Sequence, residues 1–204
     1  GQVTAGSQTT HQVTITDNDD ATWSITGDTS VSEDSGSDVA SYTLALGGDL
    51  QAGETASVRL TVDFPSLASP GSMDPAELAD AMAIAINTTT AITSGTYVAT
   101  PGPGPNPTYV DVVYTHGGTD GTVQSLVFDI TIEDDVLVEG PEDYRITLSD
   151  PGSTTGASVL LDSTTPTPLT SVTTTITDND DATWSLVDDN AVTGQVTEGA
   201  NATY

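Results

Sequence analysis

Apolar and polar residues alternate along most of the chain. A two-residue period of this kind is typical of β-strands that bury one face. The apolar positions fall into seven groups: Trp23 and Ile25; Tyr42, Leu44 and Leu46; Val58, Leu60 and Val62; Val110 and Val112; Phe128, Ile130 and Ile132; Tyr144, Ile146 and Leu148; Val172, Thr174 and Ile176. The pattern therefore predicts an all-β fold of about seven strands, arranged as a Greek-key β-sandwich of antiparallel sheets.

One segment breaks this alternation and predicts an inserted short α-helix over residues 74–87. Asp74 can cap the helix, Pro75 suits its first position, and Glu77 completes a capping box. An apolar stripe is expected from Leu78, Ala81, Met82 and Ala85. We expect the helix to cover a sheet edge or an open end of the core, in preference to binding a ligand. The Pro/Gly segment 100–107 predicts an exposed loop.

The same eleven residues, TITDNDDATWS, occur at Thr14–Ser24 and at Thr175–Ser185. The two copies are 161 positions apart, a spacing that favours repeated whole domains over short solenoid repeats. We expect 1–19 to hold the last strand of a preceding repeat, 20–181 one complete repeat, and 182–204 the start of the next. The parent protein is then expected to be longer, and this piece of it monomeric.

The charge is strongly one-sided. The chain has 30 acidic residues against two basic ones, and its formal net charge is -28. Nucleic acids and anionic membrane surfaces are therefore excluded as direct partners, and cations are favoured. A solvated acidic surface would account for part of this charge. No apolar run is long enough to span a membrane, and the absence of cysteine leaves bound metal as one way to stabilise the fold.

Acidic residues cluster at three places. Residues 133–142 and 178–181 begin directly after predicted strands, and Glu33-Asp34 lies between the first and second predicted strands. In a Greek-key sandwich these places converge at one end, where the carboxylates would repel one another unless a cation were bound. Ca²⁺ accepts six to eight oxygens in flexible geometry, whereas Mg²⁺ demands a tighter octahedron. Zinc is disfavoured because cysteine is absent and the two histidines, His11 and His116, are far apart in sequence.

Three motifs resemble those of the Calx-β domains. They are Ile132-Glu-Asp-Asp-Val-Leu-Val-Glu-Gly-Pro-Glu-Asp-Tyr144, the closing Thr175-Ile-Thr-Asp-Asn-Asp180, and Val31-Ser-Glu33. The resemblance implies an Ig-like sandwich that binds calcium at one end through Glu33, Asp134, Asp135, Glu139, Asp178 and Asp180. Asp74 stands near a further ligand position of that family, in a motif that here lacks the family's tyrosine. A role as helix cap is equally open to it.

The helix, the long repeat and the stretches EGPEDY and SDPGSTTG also resemble extender repeats of large type I-secreted RTX adhesins. This resemblance implies a secreted, cell-surface structural spacer in which Ca²⁺ stiffens the junction between neighbouring repeats. It also implies that the chain stays unfolded at the low calcium level inside the cell and folds outside.

Two other functions are weighed against the spacer. A glycan- or matrix-binding module would act through the helix and the Pro-rich loop. Its candidate aromatics, Tyr97, Tyr109 and Tyr114, lie in strand-like alternation, which favours packing. An enzyme is not expected, because no nucleophile elbow, phosphate loop or zinc motif occurs. The pair His116 and Asp120 belongs to a glycine-rich turn, which hairpin geometry would explain.

Overall fold

In a computed structural model of the chain, two β-sheets enclose one apolar core, with a helix beside them. The structure describes residues 1–4, 6–7, 10–14, 19–34, 36, 38–66, 74–90, 92–119, 121–134, 136, 138, 140–164 and 166–185. The elements within these residues are β1 (Asp20–Gly27), β2 (Ser30–Ser32), β3 (Val39–Gly47), β4 (Asp49–Leu50), β5 (Thr55–Ser66), α1 (Pro75–Thr88), β6 (Gly95–Pro101), β7 (Tyr109–His116), β8 (Gly121–Thr122), β9 (Leu126–Thr131), β10 (Glu142–Gly152), β11 (Ser158–Leu161) and β12 (Ser171–Thr177).

The first sheet has the strand order β11-β1-β3-β9, and the second has the order β2-β12-β10-β5-β7-β6. Neighbouring strands are antiparallel, apart from the parallel pairs β1–β11 and β2–β12. Along the strands of these two sheets, the chain changes sheets seven times: between β1 and β2, β2 and β3, β3 and β5, β7 and β9, β9 and β10, β10 and β11, and β11 and β12. Such interleaving is typical of Greek-key sandwiches. The predicted all-β, Ig-like sandwich with one inserted helix is confirmed, and all seven predicted strands are present.

Five strands of the described chain were not predicted. Four of them have only two to four residues, too few for alternation to be visible. The fifth, β6, lies at the edge of the second sheet, where a proline such as Pro101 is tolerated. Pro101 therefore belongs to a strand and not to the predicted loop. Residues 103–106 beyond it are exposed, as expected for the tip.

Trp23 of β1 ties the two sheets together. Its side chain is fully buried, and its Nε1 donates a hydrogen bond of 3.1 Å to the backbone oxygen of Ser57 in the opposite sheet. Its ring meets the ring of Tyr97 edge-on at a centroid distance of 6.3 Å. Burial of one large apolar side chain is worth about 1.5–3 kcal/mol, and that of an aromatic ring lies at the upper end.

A buried hydroxyl network joins the sheets at a second point. The Tyr42 hydroxyl of β3 contacts the Tyr144 hydroxyl of β10 and lies 2.6 Å from Oγ1 of Thr174 in β12. Thr174 in turn donates to the backbone oxygen of Asp28 at 2.7 Å. Burial is the largest cause that raises the pKa of both tyrosines, so each hydroxyl keeps its proton. A satisfied network of this kind favours one packing of the two sheets over others.

The helix begins where the sequence predicts and carries the predicted cap. Oδ1 of Asp74 accepts hydrogen bonds from the backbone N–H groups of Ala76 and Glu77, each at 2.8 Å. The Glu77 carboxylate accepts from the backbone N–H of Asp74 at 2.9 Å. These contacts complete a capping box, so Asp74 has a structural role whether or not it binds metal.

The helix covers the opening between β6 and β9, the edge strands of the two sheets. Its buried residues are Ala76, Leu78, Ala79, Met82, Ala83 and Ile86. Ala81 and Ala85, predicted in the apolar stripe, are only partly buried, because the buried face is turned toward Ala79 and Ala83. The amide of Asn87 donates to the Ala99 oxygen at 2.8 Å and accepts from its N–H at 2.9 Å, as a paired strand would. The expectation that the helix covers a sheet edge is confirmed.

Candidate metal centre

The pairing of β2 with β12 brings the predicted acids Glu33 and Asp178 side by side. Ser32 and Thr177, the last residues of these parallel strands, are register partners. The pairing continues one step further, since the N–H of Glu33 donates to the Thr177 oxygen at 3.1 Å. Two clusters separated by 145 residues in sequence therefore meet at one end of the second sheet.

Glu142 lies at the same end of the second sheet, on β10, the neighbour of β12 opposite to β2. It is the first residue of β10 and pairs with Ile176. Glu33 is 3% exposed and Glu142 is 4% exposed, so both are buried among residues that otherwise form the core. Glu142 has the same strand parity as Tyr144, so its side chain lies on the inner side of the sheet.

Glu142 was recognised in sequence as part of an acidic cluster but was not placed in the predicted ligand set. The signal was present, because Glu142 precedes the apolar Tyr144 by two residues. In a strand, that spacing places both side chains on one face. A carboxylate at a core-facing position is costly to bury unless hydrogen bonds or a cation stabilise its charge.

Asp178 and Asp180 lie directly after β12, and both are half-buried. Oδ1 of Asp178 accepts a hydrogen bond of 2.7 Å from the N–H of Asp180. This short turn folds the chain back just beyond the strand, so both carboxylates stay at the end of the sandwich.

Asp134 lies at the same end of the sandwich as these acids, but it follows a strand of the first sheet. It follows β9, whose last residue, Thr131, pairs with Val39 at the beginning of β3. Its side chain is exposed. Asp135 and Glu139, the other two predicted ligands from this loop, lie outside the described residues. Their assignment as ligands stays a prediction.

The described carboxylates do not form a preassembled metal cage. Among the residues that the structure describes, no group of three or more His, Cys, Asp or Glu side chains could hold a metal ion. The donor chemistry nevertheless fits calcium, because every predicted ligand is a carboxylate and all the described ones except Asp74 follow strands that end together. Asp74 is set apart from them by its role at the helix cap.

The chain's two arginines lie on the outer face of the second sheet and pair with aspartates outside the predicted ligand set. Arg59 makes two parallel hydrogen bonds to Asp111, at 2.8 and 3.0 Å, and lies 3.9 Å from the centre of the Tyr109 ring. Arg145 pairs with Asp63 at 2.6 Å. Hydrogen bonds to these aspartates are the largest causes that raise the pKa of the arginines, which stay charged. With no lysine in the sequence, protein cations are scarce for 30 acids.

The residues considered for ligand binding or catalysis take part in packing instead. Tyr97 and Tyr114 are buried, and their rings lie 4.8 Å apart. His116 is also buried: its Nδ1 lies 3.0 Å from the Tyr114 hydroxyl, and its Nε2 lies 3.0 Å from the Thr119 oxygen. The turn after His116 leads to β8, which pairs with β4, so the expected hairpin geometry is wrong. Asp120 lies outside the described residues.

A scan against protein-family models finds no match, and a search of curated proteins finds none. Among solved structures, the chain is similar to the apo form of the Calx CBD1 domain, with 17% identity and a TM-score of 0.38 over 79% of this chain and 98% of that one. A second similar structure is CBD12 from CALX1.2, with 18% identity and a TM-score of 0.36 over 79% and 44% of the two chains. Similarity at this level transfers neither a site nor an activity. In the described part of the chain, no helix has the length and apolar character needed to cross a membrane.

Proposed function

We propose that this chain is a calcium-binding spacer repeat of a large cell-surface or biofilm adhesin, stiffened by Ca²⁺ where consecutive domains meet. One observation carries the proposal. The buried carboxylates of Glu33 and Glu142 flank β12, and the end of that strand carries Asp178 and Asp180. This concentration of acids at one end of a sandwich is the arrangement that a bound cation would stabilise most.

Calcium suits this end better than other metals do. Its ligands would come from loops and strand ends, which supply irregular geometry, and calcium tolerates such geometry where magnesium does not. Glu33, Glu142, Asp178 and Asp180 would form the inner part of the site. Asp134, with Asp135 and Glu139 as predicted from sequence, would complete it. A bound Ca²⁺ would supply positive charge that links the ends of both sheets.

A structural role is supported by how the rest of the molecule is used. The helix closes the core, and the Pro-rich segment connects two strands. Tyr97 and Tyr114 pack inside the core, and Tyr109 packs against Arg59 on the outer face of the second sheet. The aromatic residues that a glycan- or matrix-binding module would use are therefore engaged in packing. The repeated eleven-residue phrase supports a tandem array of such domains.

The calcium part of the proposal is tested by isothermal titration with Ca²⁺ and, separately, with Mg²⁺. The wild-type chain is expected to release or absorb heat with Ca²⁺ at a defined stoichiometry. The double variant Glu33→Gln with Glu142→Gln should lose that signal. Asp129→Asn, which removes an exposed charge on β9, is the matched control and should bind like the wild type. Equal binding by all three proteins would reject this site.

The adhesin part is tested on cells of the source organism. An antibody raised against the chain should label intact, unpermeabilised cells if the domain stands at the surface. Labelling only after permeabilisation would reject the cell-surface location while leaving calcium binding untouched. Export in an unfolded state, implied by the resemblance, predicts that calcium raises the free energy of unfolding of the purified chain.

A further inference from the structure

The repeated phrase places two consecutive units very close together. The last strand, β12, ends at Thr177, and the first strand, β1, begins at Asp20. In the second copy of the phrase, the residue that corresponds to Asp20 is Asp181. Only residues 178–180 would therefore separate the last strand of one unit from the first strand of the next.

This linker is too short to let two units separate. The four steps from Thr177 to Asp181 span at most about 14 Å when fully extended. The hydrogen bond of 2.7 Å from the Asp180 N–H to the Asp178 side chain shortens the path further, because it closes a turn. A following unit must therefore begin its β1 at the acidic end of the preceding one.

The end of the unit at which β1 begins is opposite to the acidic end. Asp20 pairs there with Ser158 of β11, and the backbone of Gly48 packs against the Asp20 oxygen. Gly48 has a φ of +91°, and a Cβ at this position would come within 2.5 Å of that oxygen. The turn from Gly47 to Asp49 therefore lies directly beside the start of β1. In a following unit, this turn would lie at the junction together with the start of that unit's β1.

The acidic end also presents apolar side chains that a partner could cover. Val136 is 85% exposed and Val138 is 54% exposed in the loop after β9. Trp184 is not one of them, because it corresponds to Trp23 and would be buried inside the following unit itself. Isolated exposed valines are ordinary, but here they lie on the face that the short linker would cover.

We propose that the acidic end of one unit is the docking face for the β1 end of a following copy, with that copy's Gly47–Asp49 turn seated near the valines of the preceding unit. The contact is head to tail, because different faces of the same unit meet. The inference rests on the tandem-array part of the proposed function and deepens it by naming both faces. It does not depend on whether calcium is bound.

The test uses a two-unit chain made by continuing the full sequence after Ser185 with residues 25–185, which preserves the natural junction. Because the chain has no cysteine, spin labels can be placed by Val136→Cys in the first unit and Asp49→Cys in the second. Pulsed electron–electron double resonance should give one narrow, short distance for this pair of labels. A pair of labels at Val136 of both units is the matched control and should give a clearly longer distance.

A broad distribution for the Val136–Asp49 pair, or a distance as long as that of the control pair, overturns the docking proposal. A narrow, short distance that persists in chelator supports docking. Calcium binding is decided separately, by the titration with Ca²⁺, so either proposal can fail without the other.

Discussion

The two copies of TITDNDDATWS have the same sequence and different structures. In the first copy, Asp20–Ser24 forms the first part of β1 between β3 and β11, and Trp23 is fully buried. In the second copy, Asp181–Ser185 has no strand partner, and Trp184 is 98% exposed. Before the acids the difference is the opposite. In the second copy, Thr175–Thr177 lies in β12, whereas in the first copy Thr14 is not in a strand.

The difference teaches that strand formation here depends on available partners and not on the local sequence. In the described part of the chain, Thr175–Thr177 and Asp20–Ser24 form strands where neighbouring strands flank them, and Asp181–Ser185 does not form one. β-Propensity measures how a side chain fits such neighbours, so identical residues form a strand at one site and not at the other. In the proposed tandem array, the phrase would join the last strand of one unit to the first strand of the next through the acids between them.

The largest effect is expected from removing the two tryptophans in turn. Trp23→Ala deletes a buried ring and its hydrogen bond to Ser57, and should lower the free energy of unfolding by about 3–5 kcal/mol. Trp184→Ala removes an exposed ring and should change it by less than about 0.5 kcal/mol. Urea unfolding followed by circular dichroism measures both. Equal losses from the two variants would contradict the structural difference between the two copies.

Substitution of the acids in the two copies should have different effects on how much calcium stabilises the folded chain. At a calcium concentration of about 100 times the dissociation constant, binding stabilises the folded state by about 2.7 kcal/mol. The double variant Asp178→Asn with Asp180→Asn should lose most of this gain. Asp19 is the exposed residue of the first copy that corresponds to Asp180. The variant Asp19→Asn should keep the full gain in stability from Ca²⁺. Urea unfolding with Ca²⁺ and with chelator measures the gain; an equal gain in all proteins would place the ion elsewhere.

A smaller effect is expected at the position just before the phrase. Thr174 is fully buried and bonded to Tyr42 and Asp28, whereas its counterpart Val13 is 71% exposed. Thr174→Val keeps the shape but leaves buried polar groups without this hydroxyl, so it should cost about 1–3 kcal/mol. Val13→Thr should be neutral. Chemical denaturation of both variants decides the point, and a neutral Thr174→Val would mean that the hydroxyl network does not stabilise the sandwich.

The smallest effect concerns the loop that lies along β1 in the first copy. Asp162 accepts hydrogen bonds from the N–H groups of Leu169, at 2.7 Å, and Thr164, at 3.1 Å. The bond from Leu169 is the largest cause that lowers the pKa of Asp162. Because the folded-state pKa is below the unfolded value, this stabilisation is present at neutral pH and is lost as the pH falls through the folded-state pKa.

Urea midpoints measured in chelator between about pH 5 and pH 2 check this dependence. Asp162→Asn should flatten the acid limb of the curve. Asp129→Asn is the control and should leave its shape unchanged. An Asp162→Asn curve that parallels the wild type would show that the loop does not depend on the charged carboxylate.

Much of the fold could be predicted from sequence because burial follows strand parity. The seven predicted strands have inward-facing residues at every second position, nearly all of them apolar, and the helix carries both halves of its capping box. The short strands could not be predicted, because two to four residues show no period. β6 was missed because only Tyr97 and Ala99 are buried in it, between exposed neighbours and a terminal proline.

The convergence of the acids could be predicted in part. The sequence located Asp178 directly after a strand and Glu33 in the connection between the first two predicted strands. The β2–β12 register brings them together. The depth of burial could not be predicted, because it depends on how both sheets close around Glu33 and Glu142. For Asp74 the sequence left two roles open, and the structure shows the helix cap. Its role as a metal ligand, like that of every other predicted ligand, stays a prediction.

The most direct test of the central claim is a thermal melt in excess Ca²⁺, repeated with a chelator and with Mg²⁺. The account predicts that Ca²⁺ alone raises the melting temperature, by an amount that corresponds to several kcal/mol when binding is well above the dissociation constant. Identical curves under all three conditions would contradict it. The acids at the end of the sandwich would then be a solvated surface, and the stiffness of the junction would have to come from docking of the units alone.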